Sequence, residues 1–184
     1  MSHIPENPNT DISPTEFEKL IYDYLSNLGK DLNSFQSTHN LLIEKPDGNY
    51  QIDVYAEFNV FGGQIKVLIE CKKYKNSVKR EIVQLLYDKL RATGAHKGMI
   101  FSTSGFQSGA IKFAEVHGIA LVKVFDGKLN YSTKSGTSEP ISLPDWIDFA
   151  KYQGEFTYGN SINYLQVGHL DAMESFIFGN KGSG

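Results

Sequence analysis

Three residues on two short stretches of this sequence have the types and spacing for metal-centred chemistry: Asp53 on one, Glu70 and Lys72 on the other. Over residues 51–60 the order is Gln, Ile, Asp, Val, Tyr, Ala, Glu, Phe, Asn, Val. Alternation resumes over 64–72, with Ile65, Val67, Ile69 and Cys71 on the apolar side. A period of two marks a half-buried strand, and Gly62-Gly63 offers a two-residue hairpin turn between the stretches. Folding there predicts that Phe61 meets Gln64, Val60 meets Ile65, Tyr55 meets Glu70 and Asp53 meets Lys72. Paired residues share a face. Asp53, Glu70 and Lys72 would then stand together, backed by Ile52, Val54, Ile69 and Cys71 on the other face.

Two carboxylates on neighbouring strands, with a lysine two residues from one of them, suit a hard cation. Magnesium prefers oxygen ligands, keeps several waters, and takes one or two protein carboxylates beside substrate phosphate. A metal there can polarise a phosphoryl oxygen and acidify water, while a lysine offsets charge building on the phosphate. Cross-strand Asp–Lys pairs are also ordinary on solvated sheets, where they stabilise by only about 0.2–1 kcal/mol. Spacing alone leaves both readings open.

The elements that must position these residues are legible on either side. Ser13, Pro14 and Glu16 form a capping box with proline in its favoured place. Phe17, Leu20, Ile21, Tyr24, Leu25 and Leu28 follow at helical spacing, and Gly29 closes the helix. A strand is expected over roughly 34–45, then a turn at Pro46-Asp47-Gly48-Asn49. A second helix is expected over 78–93, capped by Ser77 and ended by Gly94, with Ile82, Val83, Leu86 and Leu90 as its buried stripe. A buried strand over 97–102, a helix over about 107–117 and a strand over 119–125 come next. The Asp126-Gly127 turn then leads to a short return strand ending at Tyr131. This order, αβββαβαβ, points to an α/β/α sandwich around a central mixed sheet.

The expected organisation is a disordered lead-in over 1–12, one domain over 13–131, and a linker with a C-terminal extension over 132–184. Residues 132–140 are rich in Ser, Thr, Lys and Gly. The stretch 143–179 holds Trp146 and several aromatic residues with little periodicity, and the Gly/Ser-rich end at 179–184 reads as flexible.

Composition narrows the function classes. With 40% hydrophobic and 21% charged residues, the chain reads as an ordinary globular protein. One cysteine excludes a disulfide framework and a Cys-based zinc site, and suits a reducing compartment. No apolar run approaches the roughly 20 residues of a spanning helix, and the polar N-terminus is no secretory signal. A cytoplasmic protein without a membrane partner is expected. The formal net charge of −3 gives no global argument for nucleic-acid binding, so phosphate contact must come from a local patch. Lys72, Lys73, Lys75, Lys79 and Arg80 supply one. Lys79 and Arg80 fall at the expected start of the second helix, where the macrodipole disfavours cations and a bound phosphate reverses the penalty. The loop Ser102-Thr103-Ser104-Gly105 also offers hydroxyls and amides, although it lacks the ending of a phosphate loop. His39, His96, His117 and His169 are isolated in sequence, so no histidine base is indicated. Cys71 alternates onto the apolar face and reads as a small buried side chain.

Gln51-Ile52-Asp53 and Leu68-Ile69-Glu70-Cys71-Lys72-Lys73-Tyr74 resemble the catalytic strands of the PD-(D/E)XK nucleases. The stretch Gly94 through Ala110, with its Phe101-Ser102-Thr103-Ser104-Gly105 core, resembles the Mrr-like restriction endonuclease branch. So do Ala114 to Leu121 and Asp126-Gly127. The similarity spans about 14–130, and Ile52 stands where the family's name has proline. The resemblance implies a restriction-endonuclease-like α/β/α fold and magnesium- or manganese-dependent hydrolysis of DNA phosphodiesters in restriction or anti-phage defence. It makes Asp53 and Glu70 metal ligands, the Cys71 carbonyl a third, and Lys72 the catalytic lysine. Glu18 and Gln84 match accessory acidic and glutamine positions. Lys73, Lys75, Lys79, Arg80 and Ser104 are the expected DNA contacts. The partners would be DNA and further copies, in a homodimer or higher oligomer, with the chain part of a larger defence protein. A non-catalytic DNA-binding or interaction module on the same fold is the alternative.

Overall fold

The computed structural model describes residues 12–32, 34–126, 152–158 and 161–165. Residues 1–11 of the expected lead-in over 1–12, the return strand ending at Tyr131, the 132–140 segment, Trp146 and the 179–184 end lie outside them.

Helix α1 (Pro14–Leu28) begins as its sequence dictates. The Ser13 hydroxyl accepts from the Glu16 backbone N–H at 3.2 Å, and the Glu16 carboxylate accepts from the Ser13 N–H at 2.7 Å. Strands β1 (Gln36–Lys45), β2 (Gly48–Val60) and β3 (Gly63–Lys72) follow as an antiparallel meander. Helix α2 (Arg80–Thr93), strand β4 (Lys97–Ser102), helix α3 (Ser108–His117) and strand β5 (Ile119–Asp126) then place β4 and β5 parallel to β3. Strands β6 (Tyr152–Tyr158) and β7 (Ser161–Leu165) continue antiparallel, giving a seven-stranded mixed sheet in the order β1 to β7. The expected αβββαβαβ order is present, and β6 and β7 extend the sheet past β5.

The sheet has two dry faces, which makes this an α/β/α sandwich. Phe17, Ile21 and Leu25 of α1 pack on Val54, Ile69, Cys71, Met99, Phe101 and Val122. Val83, Leu86 and Leu90 of α2, with Ala110 and Ala114 of α3, pack on Ile52, Leu68, Ile100, Ile119 and Leu121 across the sheet. Gly98 lets α2 approach: a Cβ there would stand 2.8 Å from the Leu90 side chain. Among the described residues, no helix is long and apolar enough to cross a membrane.

Three expectations need correction. The β2–β3 turn is Phe61-Gly62 rather than Gly62-Gly63, and Val60 pairs with Gly63 and Val54 with Ile69. Phe61 and Gly62 have φ of 50° and 80°, the two positive values of a type I′ turn, whose twist matches the strands it joins. The register therefore differs by two from the expected one, and because the side-chain period is also two, Asp53 keeps its face. Continued downward, this register sets Asp53 opposite Glu70 rather than Lys72.

Second, Ile52 and Val54 do not share a face. The β1–β2 ladder keeps one register from Gln36↔Glu57 to Lys45↔Gly48 but skips Asn40 and Asp53. Asn40 is left-handed, with φ 56°, a conformation asparagine tolerates better than most residues. Above this point Val54, Ala56 and Phe58 point into the α1-side core; below it Ile52, Tyr50 and Ile43 point into the α2/α3-side core. The two strands change sides together.

Third, α2 starts at Arg80 with Lys79 as N-cap, not at Val78 with Ser77 as cap. Val78 is fully buried and forms a bridge with Phe106 of the β4–α3 connection. That non-local pairing holds it extended and delays the helix.

Candidate active site

Asp53 sits where β2 parts from β3, and its carboxylate fills the gap. Its Oδ2 accepts the Cys71 backbone N–H at 2.7 Å, a donor that a regular ladder would give to a neighbouring carbonyl. The Lys72 ammonium lies 3.2 Å from the same oxygen and donates to Glu70 Oε2 at 2.7 Å. Glu70, on the sheet face that carries Leu68, is 4% exposed. Asp53, Glu70 and Lys72 thus form one connected cluster.

The electrostatics follow from burial and contact. Burial by itself would lower the pKa of Lys72. The charges of Glu70 and Asp53 and their hydrogen bonds outweigh it and hold the ammonium well above the ordinary lysine range. Lys72 is therefore a fixed cation, not a proton acceptor, at neutral pH. Burial pushes the Cys71 thiol well up, and the charges of Asp53 and Glu18 push the same way, so its side chain is an inert filler of the α1-side core.

A fourth member comes from α2. Lys89 donates to Glu70 Oε1 at 2.5 Å and to the Gln51 carbonyl at 2.6 Å. Two carboxylates and two ammonium groups balance formally. Sequence reasoning missed Lys89, although a signal existed: it follows Ile82 and Leu86 by seven and three residues, a sheet-facing stripe of α2. A lysine on such a stripe needs an anion.

The other expected site residues are more spread out. Glu18 on α1 receives His39 of β1, Nε2 to Oε2, at 3.1 Å. His39, isolated in sequence, is thus the partner that orients Glu18. Gln84 is half-buried on the α2 stripe of Arg80 and Tyr87, which turns to Phe113 of α3, and is not joined to the cluster. His96 accepts the Lys66 N–H through Nδ1, and His117 stacks between Tyr87 and Phe113.

Lys75, Lys79 and Arg80 are exposed and Lys73 is half-buried on the β3–α2 connection and the start of α2. Lys79 caps α2 without a side-chain hydrogen bond, and the Arg80 guanidinium lies 5.1 Å from the centre of the Phe113 ring. Ser104 is 1% exposed; its hydroxyl donates to the Asn76 carbonyl at 2.8 Å. The Thr103 N–H donates to the Lys72 carbonyl, the Val78 N–H to Gly105, and the Gln107 N–H to Val78. The serine-rich loop is thereby stitched to the loop that carries the cations.

Among the described residues, no three His, Cys, Asp or Glu side chains gather into a metal cage. Asp53 and Glu70 could hold a cation between them, with backbone, water and phosphate oxygens to fill its other positions. That all-oxygen, two-carboxylate set fits magnesium or manganese rather than zinc.

Comparison with known proteins identifies the family. A family model described as restriction endonuclease, Mrr_cat, matches residues 10–128. The type IV methyl-directed restriction enzyme EcoKMrr of Escherichia coli (strain K12) is 32% identical over 117 residues, 60% of this chain. The match spans only 35% of that enzyme's length. Among solved structures, a protein of unknown function, AF1548, superposes with TM-score 0.49 at 20% identity over 59% of this chain and 57% of its own. The DNA modification-dependent restriction endonuclease AspBHI does so with TM-score 0.38 at 16% identity over 70% of this chain and 33% of its own.

Proposed function

Because this chain belongs to the Mrr-type restriction endonuclease family, we propose that it is a magnesium- or manganese-dependent deoxyribonuclease domain acting in restriction or anti-phage defence. The observation that carries the reading is the Asp53–Lys72–Glu70 cluster at the point where β2 leaves β3. Asp53 and Glu70, with the Cys71 carbonyl, would hold the ion, which when bound supplies Lewis acidity toward a phosphoryl oxygen and acidifies water.

The rest is the work of the chain. Lys72, kept protonated by its two carboxylates, offsets the negative charge that grows on the phosphate as phosphorus is attacked. Glu18, oriented by His39, and Gln84 are the accessory polar groups. Lys73, Lys75, Lys79 and Arg80 bind the DNA backbone, and their contacts fix position without reading sequence. Ser104 contributes by holding the Asn76 carbonyl and so the shape of the cationic loop. One such site cuts one strand. Cleavage of both antiparallel strands calls for two sites related by a dyad, so the active species is a homodimer or higher oligomer within a longer defence protein.

Plasmid cleavage with magnesium or manganese, with EDTA as control, tests the reading. Lys72→Ala should slow cleavage by about 10²–10³-fold, the usual cost of removing one electrostatic stabiliser. A variant that cleaves at the wild-type rate would overturn the mechanism. Cleavage undiminished by EDTA would remove the metal.

A further inference from the structure

Glu70 presents both carboxylate oxygens to lysines, Oε2 to Lys72 and Oε1 to Lys89, and its side chain is only 5% exposed. Lys72 has a place in the chemistry proposed above, on which this inference rests. Lys89 has none. It reaches from the third turn of α2, is 14% exposed, and takes a second anchor from the Gln51 carbonyl of β2. Both anchors adjoin the point where β2 and β3 separate.

We propose that Lys89 is a positioning residue that occupies the Glu70 oxygen a divalent ion needs, and so makes metal binding depend on DNA. Asp53 and Glu70 are balanced by Lys72 and Lys89. A divalent ion entering alone leaves this half-buried site with two excess positive charges, which an effective dielectric far below that of water penalises. It must also displace the Lys89 ammonium from Oε1. A DNA phosphate at the site supplies negative charge and a second partner for a released ammonium, so metal and DNA strengthen each other. By linkage the factor is the same in both directions. A nuclease domain wired this way holds little metal until DNA arrives.

The prediction concerns binding, measured apart from cleavage. Calcium, a hard oxygen-seeking ion, is titrated calorimetrically into wild type, Lys89→Met and Lys89→Arg, alone and with a short DNA duplex in unmodified and methylated forms. Wild type should bind calcium weakly alone and at least about tenfold more tightly with DNA. Lys89→Met should bind calcium alone about tenfold more tightly than wild type, on the scale of one unit charge removed at a few ångströms, with a smaller gain from DNA. Lys89→Arg, which keeps the charge, should behave as wild type. Affinity in Lys89→Met equal to or below wild type, or an unchanged gain from DNA, overturns the proposal.

Loss of Lys89 also leaves Glu70 Oε1 short of a partner, so melting is a second readout. Calcium should raise the melting temperature of Lys89→Met more than that of wild type, and an equal or smaller rise counts against the proposal. If Lys89→Met folds only with calcium, that rescue supports it, and failure to fold in either condition overturns it. Calcium binding that is lost in Asp53→Asn but unchanged in Lys89→Met sinks this inference and leaves the metal site standing. No binding by any form, with or without DNA, removes both.

Discussion

Strand β2 is paired on both sides from Val54 to Glu57, stays paired with β3 to Val60, and sends Val54, Ala56 and Phe58 into the α1-side core. From Gly48 to Ile52 its inward residues, Tyr50 and Ile52, enter the opposite core, and the ladder to β3 has ended. The first half is a regular strand closed by a two-residue turn. The second is a ribbon with β1 that has changed sides. Asp53 is the seam between them, and its carboxylate replaces a backbone acceptor for Cys71. The contrast shows what a regular ladder cannot do. Within it every backbone donor is already matched, while at the seam a side chain takes over a main-chain partner and is held rigidly beside Glu70 and Lys72.

Five tests would break or sharpen that contrast. The largest effect belongs to the seam: Glu70→Gln should lower plasmid cleavage by about 10²–10⁴-fold while circular dichroism stays native, and near-normal cleavage would mean that the seam is only structural. Asp53 should show both roles. Asp53→Ala leaves the Cys71 N–H without its acceptor and should cost about 1–3 kcal/mol in urea unfolding. Asp53→Asn keeps an acceptor oxygen and should recover most of that stability without recovering cleavage; equal losses in both variants would deny the hydrogen bond its part.

The two ends of β2 can then be set against each other. Asn40→Val puts a β-branched residue in a left-handed backbone and should destabilise by about 1–2 kcal/mol, with a fall in cleavage because Asp53 moves. Phe61→Asn, in the far turn, replaces a fully exposed aromatic with a residue that favours positive φ. It should stabilise slightly and leave the rate unchanged. The smallest effect is remote from both ends. The Ser13 N–H, then the Ser13 hydroxyl, hold Glu16 below the ordinary glutamate value of 4.5. Its contribution is therefore complete above that value and is lost as pH falls through the lowered one. Hydrogen-exchange protection at the start of α1, taken relative to the intrinsic rate at each pH, should fall on acidification in wild type and hardly at all in Glu16→Gln.

Much of this was written locally in the sequence. The capping box needs only Ser13, Pro14 and Glu16 in a row, and the alternation over 51–60 and 64–72 needs only polarity. The β2–β3 turn lies one residue earlier than Gly62-Gly63, which looks the better pair, yet a shift of two in register leaves Val54, Ala56 and Phe58 on the face that alternation assigns them. The seam was hidden for the opposite reason. Periodicity reports polarity along one strand, whereas the change of sides depends on the φ of Asn40 and on two strands turning together. The start of α2 was hidden because Ser77 is the better local cap, and what overrules it, Phe106, lies far along the chain. Lys89 was visible as a charge on an apolar stripe, but its partner becomes clear only once β3 is laid against α2.

The stitching of the β3–α2 and β4–α3 connections has a consequence for control. Ser104, Thr103 and Val78 bind the cationic loop to its neighbour through part-buried side-chain and backbone hydrogen bonds, so the backbone that carries Lys73, Lys75 and Lys79 is braced in place. Engaging DNA then requires no ordering of this loop, so control of DNA engagement does not lie in its folding.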